Sequence, residues 1–187
     1  MRSGLRSGMT LEIQTRIRAD NMKRRTFILT GALASVLAAC GAKSKFKSYN
    51  GPEVTYVVVN KAARKMYLFH HNEVLKEYDF VLGFAPIGDK FFEGDGKTPE
   101  GNYFIDRRNP NSNFHLSLGI SYPNAQDRAE AKALGKPPGG DIFIHGQKNP
   151  FTKNKGDWTW GCISVSNKEM ERIYAMIKNG TPIQINP

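Results

Sequence analysis

One stretch, residues 141–166, constrains the fold of this chain more than any other. A short apolar segment over 142–144 ends in His145, and Cys162 follows 17 residues later, directly before a second apolar segment. Short apolar runs bounded by turn residues are typical of buried strands. A sheet that lays the two strands side by side brings the histidine close to the cysteine. The stretch therefore predicts a Cys–His pair at the ends of neighbouring strands.

Cys162 has the sequence surroundings of a nucleophile. Gly161 allows the backbone to turn tightly and keeps the thiol approachable, and a helix predicted to begin at Ser166 adds a positive field from its N-terminal amides. An ordinary thiol is mostly protonated at neutral pH, so it needs a neighbouring base or positive charge. His145 is the best candidate for that base. The alternative for either residue alone is a buried structural side chain.

A catalytic His145 also needs a group that fixes its tautomer. We expect a backbone carbonyl near Gly146 to accept a hydrogen bond from one ring nitrogen while the other faces Cys162, and Asp157 is the weaker choice for the same role. The amides of Gly161 and Cys162 are the predicted oxyanion donors.

Two other chemistries compete for these residues. A zinc site could recruit further histidines, but paired spacings such as C-x2-C or H-E-x-x-H are missing, so we expect no metal and no cofactor. A papain-like hydrolase is disfavoured because the cysteine normally precedes the histidine in that class. The available extra ligands are His70, His71 and His115.

The first 53 residues predict export and anchoring. Residues 1–21 lack periodicity and read as a disordered arm or a misassigned start, because Met22 opens a basic segment followed by 13 uncharged residues, which is typical of a signal peptide. Leu-Ala-Ala-Cys ending at Cys40 resembles a lipobox, so we expect a diacylglycerol anchor there. An ordinary signal peptide is the alternative, and Arg24-Arg25 leaves twin-arginine export open. Residues 41–53 are predicted to be a tether.

Composition supports an envelope protein. About half of the net charge of +10 lies in the first 40 residues, and the remaining basic residues are scattered, which argues against nucleic acid and suits an anionic wall or lipid surface. The expected location is the periplasmic side of a bacterial envelope. Gly41 after Cys40 favours the outer membrane over the inner one where there are two. A lipidated Cys40 would leave Cys162 as the one free thiol.

From Val54 onwards the pattern predicts a mainly β domain. Three strands open it as an antiparallel meander, two short helices follow later, and a turn-rich segment spans 83–101. A capping box of Ser166 and Glu169 marks the start of the second helix, which should stop at Gly180. The predicted strands are 54–59, 65–69, 74–82, 103–105, 114–120, 142–144 and 182–185, and the first helix is 125–134.

Two blocks of the sequence resemble the bacterial L,D-transpeptidase (YkuD-type) catalytic domain family. One is Ile144-His145-Gly146 followed by Gly161-Cys162-Ile163, and the other, GDGKTPEGNY over 94–103, matches G-D-x-[RK]-T-P-E-G-x-Y. Residues 121–124 and 157–159 are similar to the YafK-like subgroup. The resemblance covers 54–185 and implies a β-sandwich or cradle with one or two short helices, so we assign 54–187 to the catalytic domain.

The resemblance also implies a reaction on peptidoglycan stem peptides. Cys162 attacks the carbonyl of a diaminopimelate residue to form a thioester, His145 moves the proton, and Gly146 supplies the orienting carbonyl. An amine then gives a cross-link, which implies a transferase in wall biosynthesis and cell shape. Water instead gives hydrolysis, and the YafK-like subgroup is associated with releasing a lysine-linked lipoprotein from diaminopimelate. A non-catalytic wall-binding lipoprotein is the non-enzymatic alternative.

Two positions depart from the family pattern. Ser164 stands where many members have Arg, and Gln147 stands where many have Ser or Thr, so transpeptidation and hydrolysis both stay open. Lys97 is a possible contact for stem-peptide carboxylates, as are Arg107 and Arg108. The side chains that we assign to the substrate-binding surface are His115, Lys97, Asp157, Trp158 and Ser164.

Overall fold

A computed structural model describes residues 44–148 and 156–187 of the chain. The predicted signal peptide and the Cys40 lipobox lie outside the described residues. Within them, eight strands form one sheet in the order β3-β2-β1-β8-β4-β5-β6-β7. The elements are β1 Tyr56–Asn60, β2 Lys65–His70, β3 Glu73–Asp79, β4 Gly101–Asn109, β5 Ser117–Ile120, α1 Ala125–Ala133, β6 Phe143–His145, β7 Ile163–Ser164, α2 Asn167–Met176 and β8 Pro182–Asn186.

The antiparallel meander of β1, β2 and β3 is confirmed. β1 and β2 bury alternate residues, as a half-covered sheet requires, whereas β3 buries only Tyr78. The predicted third strand runs to residue 82, but β3 ends at Asp79. It ends early because the chain then turns to β7, where Val81 and Ser164 exchange two backbone hydrogen bonds of 2.9 Å.

The sheet bends into a cradle at β4. Residues 101–104 of β4 pair with β8, and residues 105–109 pair with β5, with a register shift between Ile105 and Arg107. Such shifts bend a strand and re-aim its side chains. β5 is shorter than the predicted 114–120 because His115 adopts a φ of 74°, which no strand accommodates.

Both predicted helices are present, each opened by a capping box. Asn124 and Asp127 cap α1, and Ser166 and Glu169 cap α2. α2 ends at Met176 rather than near Gly180, and carbonyls at this end accept hydrogen bonds from Arg108, including one of 2.6 Å to Tyr174 O. In the part of the chain that the structure describes, no helix is long and apolar enough to cross a bilayer.

The turn-rich segment 83–101 is ordered by two buried lysines. Lys90 Nζ lies 2.8 Å from Asp95, whose carboxylate also accepts the amides of Phe91, Phe92 and Lys97. Burial would raise the pKa of Asp95, but these donors outweigh it and hold the pKa below its ordinary range. Lys61 Nζ donates to Gly88 O (2.7 Å), Thr98 O (2.9 Å) and Glu100 (2.7 Å), which ties the segment to β1.

Part of the predicted tether lies against the domain. Lys45 Nζ donates to Pro110 O at 2.7 Å and to His115 O at 3.0 Å, and Glu53 pairs with Lys178 at 2.9 Å. The residues from Lys45 to Pro187 form one compact unit. A domain start at Val54 stays a prediction.

Candidate active site

The sheet brings His145 and Cys162 to one face. β6 and β7 are parallel neighbours, with Ile144 opposite Ile163 and His145 opposite Ser164. In that register Cys162 stands opposite Phe143, and because side chains alternate along strands, residues two apart share a face. His145 and Cys162 accordingly line one cavity of about 260 Å³, with Phe114, Ser117 and Asn109 among its other walls.

His145 is held in one tautomer. Its Nδ1 lies 2.6 Å from Gly146 O, and a carbonyl oxygen can only accept, so Nδ1 carries the hydrogen and Nε2 keeps a lone pair. Burial lowers the pKa of His145 below its ordinary range, although the bond to Gly146 opposes the shift. The rings of Phe114 and Trp158 pack against the imidazole at 4.6 and 5.8 Å between centroids. The neutral ring is therefore ready to accept a proton at Nε2.

Cys162 is a half-buried free thiol. Burial is the largest effect on its pKa and raises it above the ordinary range. The Asp141 carboxylate also raises the pKa, whereas the Phe143 amide and the Lys90 ammonium lower it. The sulfur lies 3.5 Å from Asp141 O, a distance that suits a thiol donating to a carbonyl. At rest the pair is thus a neutral thiol and a neutral imidazole, and a base must remove the proton as the sulfur attacks.

A second cavity of about 430 Å³ also reaches the sulfur. Cys162 and Asp141 line both cavities, so the nucleophile stands where the two meet. Trp160, which is 70% exposed, forms one wall of the larger cavity and packs edge-on against Phe84 at 4.8 Å between ring centroids. Cys162 is thus bordered by two cavities.

The turn before Cys162 is built around Gly161 and Thr159. Gly161 has a φ of 120°, and a Cβ there would lie 2.4 Å from Lys97 O, so no other residue fits. Buried Thr159 donates from Oγ1 to Cys162 O (2.7 Å) and accepts from the Gly161 amide (3.2 Å). The Gly161 amide is thereby occupied, which leaves the Cys162 amide as the predicted oxyanion donor.

Three further predicted residues lie around this centre. Trp158 packs beside His145, as described above. Asp157 pairs with Arg64 at 2.6 Å and accepts the Leu82 amide at 2.7 Å, so its carboxylate holds the loop rather than the imidazole. Ser164 is 2% exposed, and its hydroxyl donates to Gly146 O at 3.4 Å. It lines neither of the two cavities.

The structure places His115 and Lys97 outside the two cavities. His115 Nε2 contacts Glu171 of α2 at 3.1 Å. Lys97 Nζ lies 5.8 Å from the centre of the Phe91 ring, and it is the Lys97 carbonyl that touches the site, under Gly161. Arg107 reaches the cavity mouth through a 2.8 Å pair with Asp141. A substrate-binding role for His115 and Lys97 stays a prediction.

Two residues of the site were missed in the sequence. Thr159 lies in the 157–159 segment that resembles the YafK-like subgroup, and that resemblance is its one signal in the sequence. Asn167, the first residue of α2, accepts the Gln147 amide at Oδ1 (2.6 Å), and its only signal is that it follows the N-cap Ser166. Over the described residues, no group of three or more His, Cys, Asp or Glu side chains is arranged to hold a metal ion.

The fold is a curled sheet in which a cysteine and a histidine line one cavity, and the sequence match identifies the family. Residues 54–185 match the YkuD family, described as the L,D-transpeptidase catalytic domain, and the chain belongs to that family. The similarity to curated proteins includes YafK of Escherichia coli (strain K12), named as a candidate L,D-transpeptidase, at 24% identity over 79% of this chain and 56% of YafK. YkuD of Bacillus subtilis (strain 168), named likewise, is 28% identical over 70% of this chain and 65% of YkuD.

Solved structures extend the comparison. The helical cell shape determining protein Pgp2 from Campylobacter jejuni aligns with a TM-score of 0.56 and 28% identity, over 78% of this chain and 51% of Pgp2. Bd1075 of Bdellovibrio bacteriovorus aligns with a TM-score of 0.52 and 26% identity, over 75% of this chain and 50% of Bd1075. The chain spans about half of these proteins and between half and two thirds of the curated relatives. The mainly β, L,D-transpeptidase-like fold is confirmed.

Proposed function

We propose that this protein is a cysteine-dependent L,D-transpeptidase that acts on peptidoglycan stem peptides at diaminopimelate through a thioester. One observation carries the proposal: Cys162 and His145 line the same cavity, and the Gly146 carbonyl leaves Nε2 of His145 as the base. Family membership supports the reaction class. The similar protein Pgp2 determines helical cell shape, which supports a role for this chain in wall remodelling.

The reaction uses the pair twice. As the sulfur of Cys162 attacks the diaminopimelate carbonyl, Nε2 of His145 takes the thiol proton, and the Cys162 amide donates to the developing oxyanion. The C–N bond breaks, His145 returns the proton to the departing amine, and a thioester remains. An incoming amine then loses its proton to His145 and displaces the sulfur, which recovers its proton as the free thiol. The mechanism assigns the acyl group and the amine to the two cavities that Cys162 lines.

Hydrolysis is a second candidate for the same thioester, with water in place of the incoming amine. The observation that favours it concerns Ser164, which occupies the position of the usual family arginine. Ser164 is buried behind His145 and offers no cation to the cavity for a donor carboxylate. A diaminopimelate carbonyl linked to the lysine of a lipoprotein would suit such a site. Hydrolysis of that bond would release the lipoprotein from the peptidoglycan.

The location is proposed from the sequence. The basic and apolar segment from Met22, followed by Leu-Ala-Ala-Cys, supports export and a lipid anchor on Cys40, on the periplasmic side of the envelope. Peptidoglycan lies in that compartment, so anchor and substrate are consistent with each other.

Muropeptides with known stem peptides test the function directly. The full-length protein in detergent is incubated with them, and products are identified by mass spectrometry. We expect cross-linked or trimmed products from the wild type, none from Cys162→Ala, and a loss of at least about a hundredfold in His145→Gln. Lipoprotein-linked sacculi distinguish release from cross-linking. Unchanged substrates with every form of the protein would contradict an enzymatic role, and sacculus binding retained by Cys162→Ala would then favour a wall-binding protein.

A further inference from the structure

The peptide unit between Gly146 and Gln147 is held at both ends. Its carbonyl accepts His145 Nδ1 at 2.6 Å and the Ser164 hydroxyl at 3.4 Å, while its N–H donates to Asn167 Oδ1 at 2.6 Å. In a trans peptide the C=O and N–H point in opposite directions. Ser164 and Asn167 therefore form hydrogen bonds with opposite edges of the same planar peptide unit.

Ser164 and Asn167 belong to two different elements, and each element is held in place by its own hydrogen bonds. Ser164 belongs to β7 and stands opposite His145 in the parallel pair. Asn167 is the first residue of α2, and the capping box of Ser166 and Glu169 sets where that helix begins. The plane thus connects the strand that carries the base with the helix behind it.

Close packing shows how tightly Asn167 meets this plane. A Cβ added to Gly146 would lie 2.5 Å from Asn167 Oδ1 and 2.9 Å from Phe114 O. Gly146 therefore lets the carboxamide approach the backbone.

The orientation of this plane matters because it decides the state of His145. If the plane rotated, Gly146 O would leave Nδ1, and the buried imidazole could take the other tautomer, with its hydrogen on Nε2 and no lone pair towards the thiol. We propose that Asn167 and Ser164 are positioning residues that keep His145 in its reactive tautomer through the Gly146–Gln147 peptide. The inference rests on the proposed function only in taking His145 as the base for Cys162.

The variants Asn167→Ala, Asn167→Asp and Ser164→Ala test this role. Asp keeps an acceptor oxygen for the Gln147 amide, whereas Ala removes it. Loss of one such bond should slow alkylation of Cys162 by iodoacetamide at pH 7 by about three- to tenfold, and Asn167→Asp should stay within about twofold of the wild type. The control is Asn124→Ala, which removes a carboxamide from the start of the other helix, where it is the N-cap of α1, and it should not change the rate.

Two further readouts separate positioning from stability. In full-length protein labelled with ¹⁵N-histidine, the His145 signal, assigned with His145→Gln, should change from one tautomer to a mixture in Asn167→Ala and Ser164→Ala but not in Asn124→Ala. Thermal unfolding reports the structural cost of each change. Ser164→Ala acts on the other end of the plane, so it decides the matter if Asn167→Ala fails to fold.

The outcomes distinguish this inference from the function beneath it. Equal alkylation rates in the wild type and His145→Gln would remove His145 as the base. A slow His145→Gln together with an unchanged tautomer and rate in both alanine variants would overturn the positioning role alone. A loss in Asn167→Asp as large as in Asn167→Ala would also overturn it, because the acceptor is then irrelevant.

Discussion

Burial sets the charge of both reacting side chains. It lowers the pKa of the His145 imidazole and raises the pKa of the Cys162 thiol, so each group rests neutral at neutral pH. Many activated cysteines are instead stabilised as thiolates by a nearby positive charge. Here Lys90, which lines the larger cavity, is paired with Asp95 at 2.8 Å. Under the proposed mechanism, activation of the thiol therefore depends on proton transfer from Cys162 to His145.

The neutral pair predicts a particular pH dependence. His145 loses its lone pair only when the pH falls through a pKa below about 6.5, so kcat/KM should keep its plateau at that pH and decline further into acid. In His145→Gln, alkylation should depend on the free thiolate, so its rate should keep rising as the pH climbs towards the raised pKa of the Cys162 thiol. Turnover of muropeptides across the pH range measures the first dependence, and timed alkylation over the same range measures the second. A large thiolate absorbance in the wild type at pH 7 would show that the pair rests as ions.

The sequence could predict that Cys162 and His145 lie close together, but only part of the hydrogen bonds that hold them in place. The Gly146 carbonyl was predictable because it belongs to the residue next to His145 and needs no knowledge of the fold. The contacts of Asn167 and Thr159 depend on how α2 and the turn pack, and no local pattern encodes that. Lys97 shows the same limit, since its carbonyl rather than its charge meets Gly161.

At the scale of elements, the turn 159–162 contacts the GDGKTPEGNY segment, which is distant from it in the sequence. Thr159 closes the turn from inside, while Gly161 lies on the carbonyl of Lys97 in the GDGKTPEGNY segment. Gly83 pairs with Thr159 as well, and a Cβ there would lie 2.0 Å from Gly96 O. The two sequence blocks that resemble the family are thus in direct contact.

Thr159→Val tests the turn with little change in shape. The variant leaves the buried Gly161 amide and Cys162 carbonyl without their hydroxyl partner, which should lower the free energy of unfolding by about 1–3 kcal/mol. We also expect slower alkylation of Cys162, because the turn that presents the thiol loses its restraint. Urea unfolding and the alkylation assay measure the two effects. Thr159→Ser, which keeps the hydroxyl, is the control, and equal losses in both variants would contradict the role of the hydrogen bonds.

Elements with strong local signals were predicted best. The capping boxes and alternating strands are local, so α2 and the meander could be placed from sequence. The errors concern ends: β5 is shortened by the left-handed backbone of His115, and β3 by the return of the chain to β7. The return to β7 is a tertiary contact, which no local pattern reveals.

At the scale of the molecule, Lys61 connects the meander to the segment under the nucleophile. The ammonium is buried and satisfied by two carbonyls and Glu100. Buried charges are tolerated only when their partners are complete. No sequence pattern indicates this role, because a lysine after a strand ordinarily faces solvent.

Lys61→Met is expected to destabilise the whole domain. It leaves Glu100 and two carbonyls without their donor, which should cost about 3 kcal/mol in unfolding free energy, since Glu100 stays partly solvated. The matched control is Lys65→Met, which removes a lysine whose partners Glu77 and Asp79 are exposed, and its unfolding midpoint should change little. Denaturant unfolding of both variants decides the comparison. An equal midpoint shift in the two would show that burial adds nothing to the Lys61 contacts.

The position of β8 has a consequence for how the protein is made. β8 lies in the middle of the sheet, parallel to β1 and antiparallel to β4, yet it follows every other element along the chain. During synthesis both reacting residues and the helix behind them emerge from the ribosome before the strand that joins the two halves of the sheet. Until then β1 and β4 present open edges, which are prone to wrong pairing. The nascent chain thus contains Cys162 and His145 before it contains the strand that completes the sheet around them.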